Sequence, residues 1–436
     1  MHLPSETDHP QRYALTNELH ARPFQPLEAP GRVLHLAFKK VKKAAERDPA
    51  GDFAHLLAFI DRHGGPHPAD GANHYSHEFG RFRLKWERHT EFVAYTIYEA
   101  GPRDDLFSRS LGELLPKDWL INAPGKAIAA IDVEIIETKN GDEMLENGLG
   151  RFFAPDSLVA SRVLDGAGLA VGDFRIHEGG FTRFALLIER ATAPRRIGRA
   201  VQRLTEIETY RTLALLALGI ARKTSARLTQ IEQALTNLTE QVADGTREDA
   251  TQVADILRDL SRLSAELEAL SAASAFRFGA ARAYDQIVHD RIDMLREVRA
   301  PDRQMFREFM LRRFDPAMQT VTSTGQRLDD LARRASRIAQ LLRTRVDVEM
   351  EAQNQQLLRS MDERSGLQLR LQKTVEGLSV VAISYYAVSL AGYLLAPLGT
   401  KLNVDKGLLT ALVTLPVIAL VWWLARRVRR QLEKER

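Results

Sequence analysis

The chain of 436 residues contains no cysteine. Composition alone therefore excludes disulfide frameworks, thiolate zinc sites, iron–sulfur clusters and cysteine nucleophiles. An excess of one charge is nearly absent too: 61 Lys and Arg stand against 57 Asp and Glu. The surplus of four equals that of the tail Arg426 to Arg436, with six basic residues and two acidic ones. The body before the tail is neutral and lacks the dense basic face that phosphate backbones require, so nucleic acid is not an expected partner. Met1 to Pro10 shows no basic-then-apolar order and reads as no secretory leader. No Walker A lysine and no G-x-S-x-G elbow occurs. Gly166, Gly168 and Gly172 give G-x-G-x-x-x-G, one residue too long for a dinucleotide fingerprint, and read as turn glycines.

What is present in quantity is uncharged sequence at the C-terminus. Gly377 to Thr400 is a run of 24 residues without a charge, long enough to cross a hydrocarbon core of about 30 Å at about 1.5 Å per residue. Gly407 to Ala425 is a second uncharged run, of 19 residues, after the short link Lys401 to Lys406. The pair reads as a transmembrane hairpin. Pro397 falls where the first span should end, and Pro416 should kink the second. Trp422 and Trp423 occupy the interfacial position of membrane aromatics. Arg426, Arg427, Arg429 and Arg430 after the second span, with Arg364, Arg370 and Lys373 before the first, place both ends on the cytosolic side. The expected location is a bacterial inner membrane, crossed twice, with both termini cytoplasmic.

The expected fold class is α+β: an N-terminal α/β-sheet domain, a long helical bundle or coiled-coil stalk, and the C-terminal two-helix transmembrane hairpin. Boundaries are expected at 1–193, 194–376, 377–425 and 426–436, the last being the basic tail. Arg32 to Phe38 reads as a strand, and Asp52 to Arg62 as an amphipathic helix. Phe82, Leu84 and Trp86 alternate with charged residues, and with Phe92 to Glu99 they give a hairpin. Further strands are expected at Ala127 to Ile136, Leu158 to Val163, Leu169 to His177 and Phe181 to Ile188. Beyond Ala193-Pro194 the period is helical, over Arg195 to Ala243, Arg247 to Ala275, Phe276 to Val298 and Pro316 to Glu376. In the last of these, Leu328, Leu331, Ala335, Ile338 and Leu342 form one stripe. After a phase slip, Met350, Leu357, Met361, Leu371, Val375 and Leu378 form a second. About 60 helical residues extend some 90 Å, which needs neighbours from the same chain or from other subunits.

Three stretches carry a family resemblance. They are Asn17-Glu18-Leu19-His20-Ala21-Arg22-Pro23, the strand pair from Gly80 to Phe92, and Leu369-Arg370-Leu371-Gln372-Lys373-Thr374-Val375-Glu376-Gly377-Leu378-Ser379 with its continuation to Tyr386. Together they resemble an uncharacterised family of bacterial membrane-anchored proteins. The resemblance spans nearly the whole chain and implies a membrane anchor but no activity. The order of parts, a cytosolic α/β domain, long helices, a stalk entering the first of two spans and a basic tail, is similar to CorA-type metal-ion channels. That likeness implies a homo-oligomer whose first span lines a pore ending in Gly-Met-Asn. Here the matching stretch is Leu398-Gly399-Thr400-Lys401-Leu402-Asn403, so the motif is absent, and Lys401 would repel a divalent cation.

Two sets of side chains stand out as candidate sites. His9, Arg12, Asn17, Glu18, His20 and Arg22 form an early polar cluster: either a pocket in which Glu18 and His20 handle protons beside an arginine, or a network docking the N-terminal segment on the strand bearing Arg81, Arg83, Lys85 and Glu87. Glu376, Gly377, Ser384, Tyr385, Ser389 and Gly392 are the pore or helix-packing candidates of the first span. His63, His67, His74 and His77 lie among Asp61, Asp70 and Glu78, but Gly and Pro between them favour a solvated loop over a metal site. No catalytic residue, metal or cofactor is assigned. The expected partners are the lipid bilayer and further copies of the chain, serving a scaffold or sensor, with a CorA-like transporter as the rival reading.

Overall fold

The computed structural model describes residues 8–18, 24–41, 46–102, 106–107, 115–189, 191–244, 250–402 and 406–432. Two compact units are separated at residues 339 and 340. Unit 1 contains α1 (Arg12–Glu18), β1 (Gly31–Lys39), α2 (Pro49–His63), β2 (His74–Phe79), β3 (Phe82–Arg88), β4 (Phe92–Ala100), α3 (Lys117–Ile121), β5 (Lys126–Glu137) and α4 (Gly141–Met144). It continues with β6 (Val159–Val163), β7 (Gly168–Ile176), β8 (Thr182–Ile188), α5 (Pro194–Asp244), α6 (Ala250–Leu295), β9 (Val298–Arg299) and α7 (Phe306–Arg313). The helix α8 (Asp315–Leu402) crosses the division, and α9 (Lys406–Leu432) lies in unit 2.

The strands make one sheet in the order β2-β3-β4-β1-β5-β8-β7-β6-β9, antiparallel except for the parallel pair β5 and β8. Its centre is buried on both faces, which is why every position of β1 is shielded and why the strand reads as a nearly continuous apolar run. One face carries Val33, Ala37, Ile131, Val133 and Phe184 against α5, with α6 and α7 adding Val288, Ile292 and Phe306. The opposite face carries two smaller cores. Leu34, Leu36, Phe38 and Trp86 pack under α2 and α3, and Leu169, Val171 and Leu187 pack under Leu145 and Leu149. Between these cores, Arg32 is fully buried and donates from Nε to Asp132 Oδ1 at 2.8 Å, with Glu134 Oε1 at 3.4 Å.

Local chemistry sets the element ends. Asp48 accepts from Ala50 N at the start of α2, and Gly64, at φ 74°, closes the helix in the left-handed region. The histidine-rich segment, expected as a loop, contributes β2, which pairing with β3 makes an edge strand. Of the three glycines read as turn residues, only Gly166 sits in a turn. Gly168 and Gly172 lie in β7, where a Cβ on Gly172 would stand 2.5 Å from the Phe184 ring. The expected division of the second long helix at Ala275 and Phe276 is also corrected, because α6 runs unbroken through both.

In unit 1 each long helix buries an apolar stripe: Leu228, Ile231 and Leu235 of α5, Leu260, Leu263 and Leu267 of α6, and Leu328, Leu331 and Ala335 of α8. Arg227 pairs with Glu266, and Arg327 with Glu232, across the helices. A further tie links the sheet to α6. Glu91, 2 % exposed, accepts from Arg277 Nη1 and Nη2 at 2.9 Å each and from the Tyr284 hydroxyl at 3.1 Å. In unit 2, the second stripe of α8 is exposed, from Met350 at 59 % to Leu378 at 74 %. α8 remains helical through Pro397 to Leu402, beyond the expected end of the first span, and α9 remains helical through Pro416. Both helices are long and apolar enough to cross a membrane by length and composition.

Candidate functional site

The alternation of β1, β3 and β4 sends one side chain in two toward α5. Register then aligns three polar residues on that face: Lys85 lies opposite Thr96, and Thr96 opposite His35. Over this row, α5 presents Gln202, Thr205 and Thr209, and Leu27 and Gln25 close one side. The result is a narrow cleft with an interior volume of about 70 Å³. Phe92, Tyr98 and Tyr210 supply much of its apolar wall. An apolar cleft holding a few converging polar groups is the usual form of a small-molecule site.

His35 is the centre of the row. Its Nδ1 lies 2.8 Å from Thr96 Oγ1, and its Nε2 lies 3.3 Å from Thr209 Oγ1. Burial, reinforced by the charge of Lys85, lowers its pKa to about 3. The ring is therefore neutral at physiological pH, with one nitrogen a donor and the other an acceptor. Each threonine hydroxyl can serve either role. Lys85 Nζ meets Glu87 Oε1 at 3.0 Å, and both side chains are about nine-tenths buried. The cleft thus offers a neutral imidazole–hydroxyl row beside a charge pair, an arrangement suited to holding a small polar molecule.

The early polar cluster is only partly described. Arg12 and His9 are exposed, and Arg12 pairs with Asp8. Asn17 and Glu18 end α1, but their side chains, with His20 and Arg22, lie outside the described residues. The segment that follows is docked on the sheet and on α5. Arg83 Nη1 donates to the Pro26 carbonyl at 3.1 Å, and Leu27 N donates to the Pro194 carbonyl at 3.0 Å. Glu28 N donates to the Tyr98 oxygen at 2.8 Å, while the Tyr98 hydroxyl donates to the Glu28 carbonyl at 2.9 Å. A Cβ on Gly198 would fall 1.8 Å from the Gln25 carbonyl oxygen, so the approach requires glycine.

Glu376, Gly377, Ser384, Tyr385, Ser389 and Gly392 all lie on α8 in unit 2. Ser384 is buried and its Oγ has no hydrogen-bond partner among the described residues, whereas Tyr385 is exposed. The histidine-rich segment does not converge. His63 packs on Phe59 and Phe82, His67 pairs with Asp61, and His74 and His77, three apart on β2, point to opposite faces.

Sequence reading did not find His35, Thr96 and Thr209, because their meeting depends on strand register and on a helix 174 positions away from His35. It also did not find Asp285, His289 and Asp315, whose ligand atoms lie within 4.8 Å of one another. His289 Nδ1 lies 2.9 Å from the Asp285 carbonyl oxygen, and its Nε2 lies 3.3 Å from Asp315 Oδ1. Burial raises the Asp285 pKa; His289 opposes the shift and Asp315 adds to it. The i, i+4 spacing of Asp285 and His289 was a visible signal; the third member is brought in by the start of α8. These three could hold a metal ion.

No functionally curated protein matches the chain. The solved structure titled "structure of the full-length CmaX protein" aligns with 15 % identity and a TM-score of 0.18, over 76 % of this chain and 94 % of that one. At that score the likeness carries no argument. The family described as "Protein of unknown function (DUF3422)" matches residues 7–432, and the chain belongs to it.

Proposed function

We propose that the chain is an oligomeric, membrane-anchored scaffold or sensor, without enzymatic activity, that presents its α+β domain on the cytosolic side of a bacterial inner membrane. The observation that carries this reading is the surface of α8. Past Leu342 its apolar stripe is exposed, and the helix continues into a window of mean hydropathy 1.7 that is 6 % buried. Burying a Leu or Met side chain is worth about 1.5–3 kcal/mol, so such a surface gains strongly from lipid and from other copies of the helix. The second apolar helix returns the chain. Arg426 stacks 5.0 Å over the Trp422 ring and Arg427 5.2 Å over Trp423, a pairing suited to the cytosolic interface. Membrane fractions washed at alkaline pH test the anchor: the full chain should stay with the membrane and a chain ending at Glu376 should be released. Release of both would overturn the reading.

The rival reading, a CorA-like transporter, is favoured by Ser384, a buried hydroxyl with no partner of its own chain among the described residues. A pore lined by such hydroxyls predicts ion flux in liposomes that falls on replacing Ser384 and Ser389 by Ala. A monomeric detergent particle would remove both the pore and the oligomeric scaffold.

A further inference from the structure

Five arginines gather where the start of α5 meets the end of α6. Arg196, Arg199 and Arg203 recur at three and four residues and so share one face of α5. Two acids fix α6 beside that face. Asp165 is approached by Arg196 at 2.8 Å and by Arg296 at 3.8 Å, while Glu206, one turn past Arg203, pairs with Arg291. Arg199 and Arg203 lie between these ties. Neither has an acid at ion-pair distance among the described residues. The Nε of Arg203 is buried and finds no acceptor.

Other acids nearby are occupied. Glu206 also accepts from Gln202, Asp293 pairs with Arg307, and Glu297 receives the backbone N–H groups of Phe306 and Arg307. Five guanidiniums therefore face two carboxylates, Asp165 and Glu206. The first turn of α5, which holds Arg196, has no acid of its own to offset the positive end of the helix dipole. Burial, followed by the charges of Arg199 and Arg291, lowers the Arg203 pKa, with Glu206 opposing the shift and Arg296 adding to it.

We propose that Arg199, Arg203, Arg291 and Arg296 form a binding site for a phosphate-bearing anion. A guanidinium fork matches the geometry of phosphate oxygens, and an anion beside Arg199 and Arg203 would add the negative charge that this face of α5 is short of. The phosphate could belong to a soluble molecule or to a lipid headgroup.

The test uses the full chain in neutral detergent. Pyrophosphate binding is measured by calorimetry at constant ionic strength, and a parallel series uses micelles doped with a phosphatidic acid. Saturable binding of pyrophosphate marks a soluble ligand, and binding to doped micelles alone marks a lipid headgroup. Arg203→Gln and Arg199→Gln should each weaken binding about tenfold or more, whereas Arg429→Gln in the basic tail should not. Arg203→Lys keeps the charge and should retain part of the affinity, which separates loss of the site from loss of the fold. No binding beyond chloride in either series, or unchanged binding in Arg199→Gln and Arg203→Gln, would overturn the proposal.

Discussion

Replacing Arg277 by Leu should loosen the junction between the sheet and α6. Glu91 is 2 % exposed and takes two guanidinium N–H groups and one phenol hydroxyl. Without Arg277 a buried carboxylate would keep only Tyr284 as a hydrogen-bond partner of that set. Breaking a buried ion pair by removing one member costs about 3–5 kcal/mol, because the charge that remains is stranded. The double variant Glu91→Gln, Arg277→Leu strands no charge and should recover most of the loss. Urea unfolding of the full chain in detergent measures the cost, and hydrogen exchange along α6 locates it. The Glu91–Arg277 pair is screened little by salt, so the cost should change little between low and moderate ionic strength. A loss below about 1 kcal/mol in Arg277→Leu, or a double variant as unstable as the sum of its parts, would refute the reasoning.

The remaining predictions concern the cleft, the docked segment and the stalk. His35 has a folded pKa of about 3, below its ordinary 6.5, so the unfolded chain takes up the proton first as pH falls. Its contribution is intact above about pH 6.5 and declines by up to about 1.4 kcal/mol per pH unit toward pH 3; His35→Gln should remove that slope, read by urea titrations at pH 4 to 6. Parallel curves for the two proteins would exclude it. Gly198→Ala drives a methyl into the Gln25 carbonyl and should release residues 24–29, seen as faster proteolysis there with the rest of the fold retained. Leu357→Asp and Met361→Asp, at exposed positions, should leave monomer stability within about 0.5 kcal/mol but reduce the mass of the detergent particle.

The sheet was legible where alternation or apolar runs were strong. Seven of its strands fell within a residue or two of their expected ends, because alternation marks a strand such as β3 and a continuous apolar run marks one buried on both faces such as β1. β2 was hidden by its composition, since His74, Ser76 and Glu78 face solvent on an edge strand and leave only Tyr75 fully buried. The cleft was hidden for a different reason. Lys85 and Glu87 were visible as polar residues on β3, but sequence periodicity does not give register, and register alone sets Lys85, Thr96 and His35 in line. Long-range pairing of this kind leaves no local mark in the chain.

The two stripes of α8 show how far periodicity reaches. Leu328, Leu331, Ala335, Ile338 and Leu342 have the same spacing character as Met350, Leu357, Met361, Leu371, Val375 and Leu378. The first set is buried and the second is exposed. The difference does not lie in α8 itself. Within unit 1, α5 runs beside the part of the first stripe from Leu328 to Ile338, tied to it by Arg327 on Glu232 and Arg334 on Thr236, and α5 and α6 also bury Leu235, Leu238, Val253 and Ile256. Among the described residues, no later helix before α9 offers the second stripe an equivalent set. Amphipathicity states that a face will be covered, and the length of the neighbouring elements states by what. For the second stripe the described helices before α9 supply no such set, and under the oligomeric reading proposed above another copy of α8 would be its cover.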